Sequence, residues 1–198
     1  MKADFERSFE LTMGHEGGYS NDPNDAGGET YRGISRRYHP SWPGWGVVDG
    51  IKINCGDLKK VLGENAELLL LVKAFYKDHF WNKFLGDEIP DQMIADELFD
   101  TSVNMGIEKA VRFLQISLNV LNRNQKNYPD IIEDGVLGPN TLKVLKSYLA
   151  YLAIDRPDFL LKVMNVLQGM HYIEYMRKSP IQEKYARGWF NRVYITKN

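Results

Sequence analysis

Glu16, Asp25 and Thr30 fall within one glycine- and acid-rich stretch, GHEGGYSNDPNDAGGET, which runs from Gly14 to Thr30. Glu16 lies seven residues after Phe9 and three after Met13, so a helix through this segment puts it on the face that Phe5 and Phe9 bury. A carboxyl at the end of such a face loses hydration, which favours its protonated form. Unpaired carbonyls at a helix C-terminus disfavour a second negative charge and act in the same direction. Glu16 is therefore a candidate general acid, with a solvated helix-end glutamate as the plainer alternative. Eight residues separate it from Asp25, and a loop holding Asn21, Asp22, Asn24 and paired glycines can fold back to face the two carboxyls across a cleft. One carboxyl kept protonated and one ionised suit acid-catalysed hydrolysis of a glycosidic bond, with Thr30 orienting water or stabilising charge. Asp25 on its own also reads as an ordinary turn former, and a slip of three residues in the loop lets Asp22 take its place.

Metal chemistry fits the same stretch poorly. A zinc-protease helix requires His-Glu-x-x-His, but His15-Glu16 is followed by Gly17, Gly18 and Tyr19, so the second ligand is missing. A calcium loop opening at Asp22 finds Asn24 and Gly27 where it needs them. It then meets Ala26 and Gly33 at positions that must supply side-chain oxygen. The single cysteine, Cys55, rules out an internal disulfide and a cysteine-rich zinc site, and reads as an inert packed thiol. No metal and no organic cofactor is expected.

The elements that must hold these groups read as helices. Phe5, Phe9 and Met13 mark an amphipathic helix from about Asp4 to His15, with Asp4 as its cap and Gly17-Gly18 as its stop. YHPSWPGWGVVDG is too rich in breakers for regular structure. DLKKVLGENAELLLLVKAFYKDHFW reads as two helices broken near Gly63, and DQMIADELFDTSVNMG as one closed by Gly106. Helices follow in IEKAVRFLQISLNVL, TLKVLKSYLAYLAI and PDFLLKVMNVLQGMHYIEYMRK, with NRNQKNYPDIIEDGVLGPN as the longest polar connection. At most a small β-hairpin is expected, between residues 20 and 50. The fold class is mainly α, with long functional loops.

Composition narrows the partners. Of 198 residues, 43% are hydrophobic and 12% aromatic, which is a folding composition. Residues 1–100 hold 11 Lys/Arg against 18 Asp/Glu, and residues 101–198 hold 14 against 8, so a net charge of −1 conceals an acidic half and a basic half. The basic half lacks the dense clustering of a nucleic-acid module, and no nucleic-acid partner is expected. The charged start MKADFERSFE does not read as a signal peptide, and AELLLLVKAF is too short to span a bilayer, so no stable membrane insertion is expected.

HEGGYSNDPNDAGGETYRGIS resembles the signature of the glycoside hydrolase family 108 peptidoglycan hydrolases, also called secretion activator proteins. Its order of Glu, Asp and Thr is similar to that of the phage-type lysozymes, in which five residues rather than the present four separate Asp from Thr. FYKDHFW (75–81), LFDTSVNMG (98–106) and RFLQISLNVL (112–121) resemble the family's mid-chain helices. EDGVLGPNTLKVL (133–145) is similar to a peptidoglycan-binding signature, and FLLKV with GWFNRV to the family's close. The resemblance implies a lysozyme-like, two-lobed fold, with a catalytic region at 1–108 and a helical peptidoglycan-binding region at 109–198 packed against it. It implies hydrolysis of β-1,4 bonds in bacterial peptidoglycan, with Glu16, Asp25 and Thr30 as catalytic residues and Asp100, Thr101 and Asn104 along the substrate groove. Tyr19, Tyr31, Trp42, Trp45 and Trp81 are candidates for stacking on sugar rings, and Asp22 for a further contact. A chain made in the cytoplasm without a signal peptide then acts at the wall after release or export, as a phage- or prophage-type lysis enzyme does. A non-catalytic binding or secretion-assisting module and a chitosanase-like hydrolase are the alternatives.

Overall fold

The computed structural model describes residues 2–14, 18–22, 27–53, 56–151 and 158–193, so Glu16, Asp25 and Cys55 lie outside the described residues. The chain divides into two compact units, residues 9–79 and residues 1–8 with 80–198. The architecture is mainly α with one small antiparallel sheet.

Helix α1 (Phe5–Met13) buries Phe5, Ser8, Phe9, Thr12 and Met13, the i, i+3, i+4, i+7, i+8 stripe of a helix with one dry face. Gly14 N–H donates to the Glu10 carbonyl at 2.9 Å, which adds a last helical bond. In residues 9–79 the chain then forms strands β1 (Tyr19–Asn21), β2 (Glu29–Tyr31) and β3 (Ile34–Ser35), in the order β1-β2-β3. The tight turn joining β2 to β3 uses two left-handed residues, Arg32 (φ 44°) and Gly33 (φ 78°). A Cβ on Gly33 would stand 2.6 Å from the Tyr76 hydroxyl, so the turn requires glycine for space as well as for conformation.

Three helices complete this unit: α2 (Gly44–Lys52), α3 (Leu58–Gly63) and α4 (Ala66–Tyr76). Helix α2 corrects the expectation that residues 38–50 are irregular. Pro43 precedes its first residue with φ −58°, a value already helical, and Trp45 and Val48 are buried at 4% and 0% exposure. Packing of those side chains outweighs the weak propensity of Gly46 and Gly50. Helices α3 and α4 begin at Asp57 and Asn65, whose side chains accept from Lys60 N–H and Leu68 N–H.

In the other unit the central elements are α5 (Gln92–Met105), α6 (Ile107–Val120), α7 (Pro139–Tyr151) and α8 (Asp158–Lys178), with a short α9 (Ala186–Phe190). Helix α5 packs on α6 and α8, and α6 also meets α7. Gly106, at φ 91°, makes the sharp break between α5 and α6. Trp81, Phe84, Phe99 and Leu114 are fully buried, and Phe5 packs edge-on against Trp81 and Phe99. The DGVLGPNT turn is organised by one buried side chain. Gln115 Nε2 donates to the Asp134 carboxylate at 2.8 Å and to Thr141 Oγ1 at 3.2 Å, while Gln115 Oε1 accepts from Gly135 N–H at 2.8 Å. Thr141 is thus part of this buried knot. No described helix is long and apolar enough to cross a membrane.

Candidate functional site

Each end of the Asp25 loop is fixed by described residues. β1 and β2 pair with Tyr19 opposite Tyr31, Ser20 opposite Thr30 and Asn21 opposite Glu29, so the loop leaves the sheet after Asn21 and returns at Glu29. β2 pairs with β3 with Thr30 opposite Ser35. Because side chains directly opposite share a face, Ser20, Thr30 and Ser35 form a row of hydroxyls across the three strands. Ser35 Oγ donates to the Gly27 carbonyl at 2.6 Å and ties the returning end of the loop to the third strand. Thr30, half-buried at the centre of this row, is the one catalytic candidate among the described residues.

An ion-pair network that sequence reasoning missed lies beside Thr30. The Glu29 side chain, 13% exposed, is held by two cations: Lys52 Nζ bonds its Oε1, and Arg36 Nε lies 2.9 Å from its Oε2. Arg36 also makes a two-pronged contact to Asp49, at 2.6 and 3.0 Å, and its guanidinium lies over the Trp45 ring at 4.5 Å. The Arg36 hydrogen bond is the main cause that holds the Asp49 carboxyl below its ordinary value. Lys52 stays more basic than usual despite burial, through its bonds to Glu29 and Tyr19. Lys52 also sits 5.3 Å from the Tyr19 ring centre. Nothing in the local sequence marks Glu29 as different from the other loop acids. Only its place on a strand, across from two cations on separate elements, distinguishes it.

The aromatic candidates separate clearly. Tyr19 is half-buried and the exposed Asp22 follows the end of its strand, so both border the loop. Tyr31 is 1% exposed, donates its hydroxyl to the Leu62 carbonyl at 2.7 Å and stacks on Trp42. Trp42, Trp45 and Trp81 are 7%, 4% and 0% exposed. The indole N–H groups of Trp45 and Trp81 are satisfied by the His39 carbonyl and the Asp87 carboxylate. Tyr31 and these three tryptophans are therefore core side chains with no free face for a sugar. Their size makes burial more favourable than display.

Asp100, Thr101 and Asn104 lie on α5, in the other unit. Thr101 is 1% exposed and links buried groups: its hydroxyl donates to Glu97 Oε1 at 3.1 Å and accepts from Gln168 at 3.2 Å. It is an internal connector, since its burial leaves no route for a ligand. Asp100 accepts from Arg192 at 2.6 Å, and the exposed Asn104 donates back to the Asp100 carbonyl at 2.7 Å. Glu97, which sequence reasoning passed over, is the most perturbed acid described. Burial, helped by the Asp100 charge, pushes its pKa up to about 7. Its signal was present in the chain only as an acid on the apolar face of a helix.

Among the described residues no three His, Cys, Asp or Glu side chains are close enough to share a metal ion. In residues 9–79, His39 and His79 meet edge to face at 5.4 Å, with Phe75 stacked on His79 at 4.0 Å. Burial, then the His79 charge, lowers the His39 pKa.

Residues 9–106 match the family described as Glycosyl hydrolase 108, and residues 109–194 match the Predicted Peptidoglycan domain. No curated protein matches the chain in sequence. Among solved structures, that of Brucella abortus SagA is similar in fold, with a TM-score of 0.58 at 21% identity, over 96% of this chain and 88% of that one. The Glu16–Thr30 stretch and its three-stranded sheet thus lie inside the first match, and the Gln115 knot inside the second. Residues 9–106 thus belong to the glycosyl hydrolase 108 family, a family of glycosidases, and a predicted peptidoglycan domain follows at 109–194.

Proposed function

We propose that this chain is an N-acetylmuramidase, cleaving the β-1,4 bond between N-acetylmuramic acid and N-acetylglucosamine in the glycan of bacterial peptidoglycan, with Glu16 as the acid. The observation that carries the reading is the glycosyl hydrolase 108 match over residues 9–106, which contains the whole Glu16–Thr30 motif. The peptidoglycan domain at 109–194 supports the choice of polymer. Glu16 gives its proton to the bridging oxygen as the C1–O bond breaks, and the bond's electron pair leaves with that oxygen as an alcohol. The ionised Asp25 faces the positive charge that develops on the sugar ring. Water then completes the exchange, its hydroxyl joining C1 and its proton passing to a carboxylate. Thr30 orients that water from the central strand. Residues 1–108 act as the catalytic region and 109–198 as the wall-binding one. The wall lies outside the compartment of synthesis, so the protein acts there once released or exported.

The test is release of reducing ends from purified peptidoglycan and from chitosan by wild type and Glu16→Gln. Release from peptidoglycan by wild type, abolished in the variant, supports the reading. Binding without release indicates a non-catalytic wall-binding module, and release from chitosan alone a chitosanase-like hydrolase.

A further inference from the structure

A cavity of about 390 Å³ opens on the second compact unit, at the α5–α6 junction and facing α8 and α9. Its walls combine the rings of Tyr172, Tyr175 and Trp189 with the amides of Asn104 and Gln182. Trp189 stacks on Tyr172 with centroids 5.1 Å apart and an interplanar angle of 18°. Tyr175 tilts against Trp189 at 5.8 Å, stacks with His171 at 6.4 Å and is 45% exposed, so part of its side chain is open to solvent.

Among the described residues one lysine lines the cavity, and no acid does. Lys109 Nζ lies 2.9 Å from His171 Nε2, so its hydrogen-bond partner is an imidazole where a carboxylate would be the usual one. Among the described residues Lys109 makes no ion pair. Its sequence neighbour Glu108 is bonded to Arg112 at 2.7 Å. Burial, followed by the Lys109 charge, lowers the His171 pKa, and burial lowers that of Lys109. Glu174 and Lys178 act on His171 with opposite signs. Among the described residues the lining therefore combines a half-buried basic group, hydrogen-bonding amides and aromatic rings, with no carboxylate.

We propose that this cavity is an accessory binding site for the peptide stem of peptidoglycan, with Lys109 pairing a stem carboxylate and Tyr175 packing on its apolar side chains. The inference rests on peptidoglycan being the polymer this chain engages, and it goes beyond the hydrolase reading by naming a part of the wall and the residues that hold it. The glycan backbone is the less suitable occupant because its N-acetylated sugars carry hydroxyls and amides, while the stem carries the free carboxylates. The volume falls within the range of sites that enclose a small ligand fragment.

The test is calorimetric titration of the full chain with the stem tetrapeptide Ala–D-Glu–Lys–D-Ala, the same peptide with its carboxylates converted to carboxamides, and an N-acetylglucosamine tetramer. Wild type is expected to bind the free-acid peptide at least about tenfold more tightly than the other two probes, the usual effect of one charge-assisted hydrogen bond. Lys109→Gln should lose that margin and Lys109→Arg keep most of it. Tyr175→Ala, at an exposed position, should weaken binding without altering the circular dichroism. Equal affinity for the acid and amide peptides overturns the proposal, as do preference for the sugar tetramer and the absence of any peptide binding. Reducing-end release is measured on the same preparation, so loss of the hydrolase reading is seen separately from loss of the stem site.

Discussion

Replacing Glu97 by Gln should remove a pH dependence of stability that one buried carboxyl imposes. Glu97 is 8% exposed, accepts from Thr101 Oγ1 at 3.1 Å and from Asn165 Nδ2 at 3.0 Å, and is pushed up to about 7 from an ordinary 4.5. Below the unfolded value both states carry the proton, and the folding contribution of this group is fully present. Between 4.5 and about 7 the unfolded chain ionises while the folded one holds its proton, so stability falls as pH rises and the contribution is lost above about 7. The two values differ by about 2.5 units, worth roughly 3 kcal/mol at 1.36 kcal/mol per unit. An amide cannot ionise, yet it keeps an acceptor for Asn165 and a donor for the Thr101 oxygen. Urea unfolding of both proteins at about pH 4.5 and about pH 8 isolates the effect, since all other titrating groups are shared. Wild type should lose roughly 3 kcal/mol more than Glu97→Gln across that interval, and the variant should be the more stable protein at the upper pH. Parallel curves for the two proteins would refute the argument.

Three further outcomes are expected. Gly33→Ala places a Cβ 2.6 Å from the Tyr76 hydroxyl at a φ of 78°, and should cost roughly 1–3 kcal/mol, read as a lower melting temperature. Tyr31→Phe removes the 2.7 Å donor from the Leu62 carbonyl, which keeps the Asn65 N–H at 3.3 Å, and should cost about 0.5–1.5 kcal/mol in urea unfolding. Ser35→Ala frees the Gly27 carbonyl at the end of the Asp25 loop. It should lower turnover on peptidoglycan roughly 10- to 100-fold with the melting temperature nearly unchanged, because misplacement of a reacting group costs rate more than stability.

The helices with a strong apolar period were legible in the chain. Leu98 and Phe99 in α5 and Leu114 and Leu118 in α6 are fully buried, and Gly63 and Gly106 stand where helices end. Helix α2 was not legible, because its signal comes from packing of Trp45 and Val48 rather than from propensity. The small sheet came through only as a hairpin. Its third strand, two residues long, is defined by pairing to Thr30 and Tyr31 and has no pattern of its own. Among site residues, the Glu16–Asp25–Thr30 order was visible as a motif, and the hairpin register adds the frame around the loop. The role of Tyr31 as a core side chain was hidden, since a buried tyrosine and a displayed one look alike until the hydroxyl's partner is known. Glu29 and Glu97 were hidden for the converse reason. What makes each unusual is a partner on a distant segment: Arg36 and Lys52 for the first, Asn165 for the second.

The central claim is that Glu16 supplies the proton for glycosidic cleavage, and the most direct measurement is the rate at which wild type and Glu16→Gln release reducing ends from purified peptidoglycan. The account predicts steady release by wild type and a loss of about a thousandfold or more in a variant with unchanged circular dichroism, since an amide cannot donate the proton the leaving oxygen needs. Full activity in Glu16→Gln, or peptidoglycan binding by wild type with no reducing ends released, would contradict it.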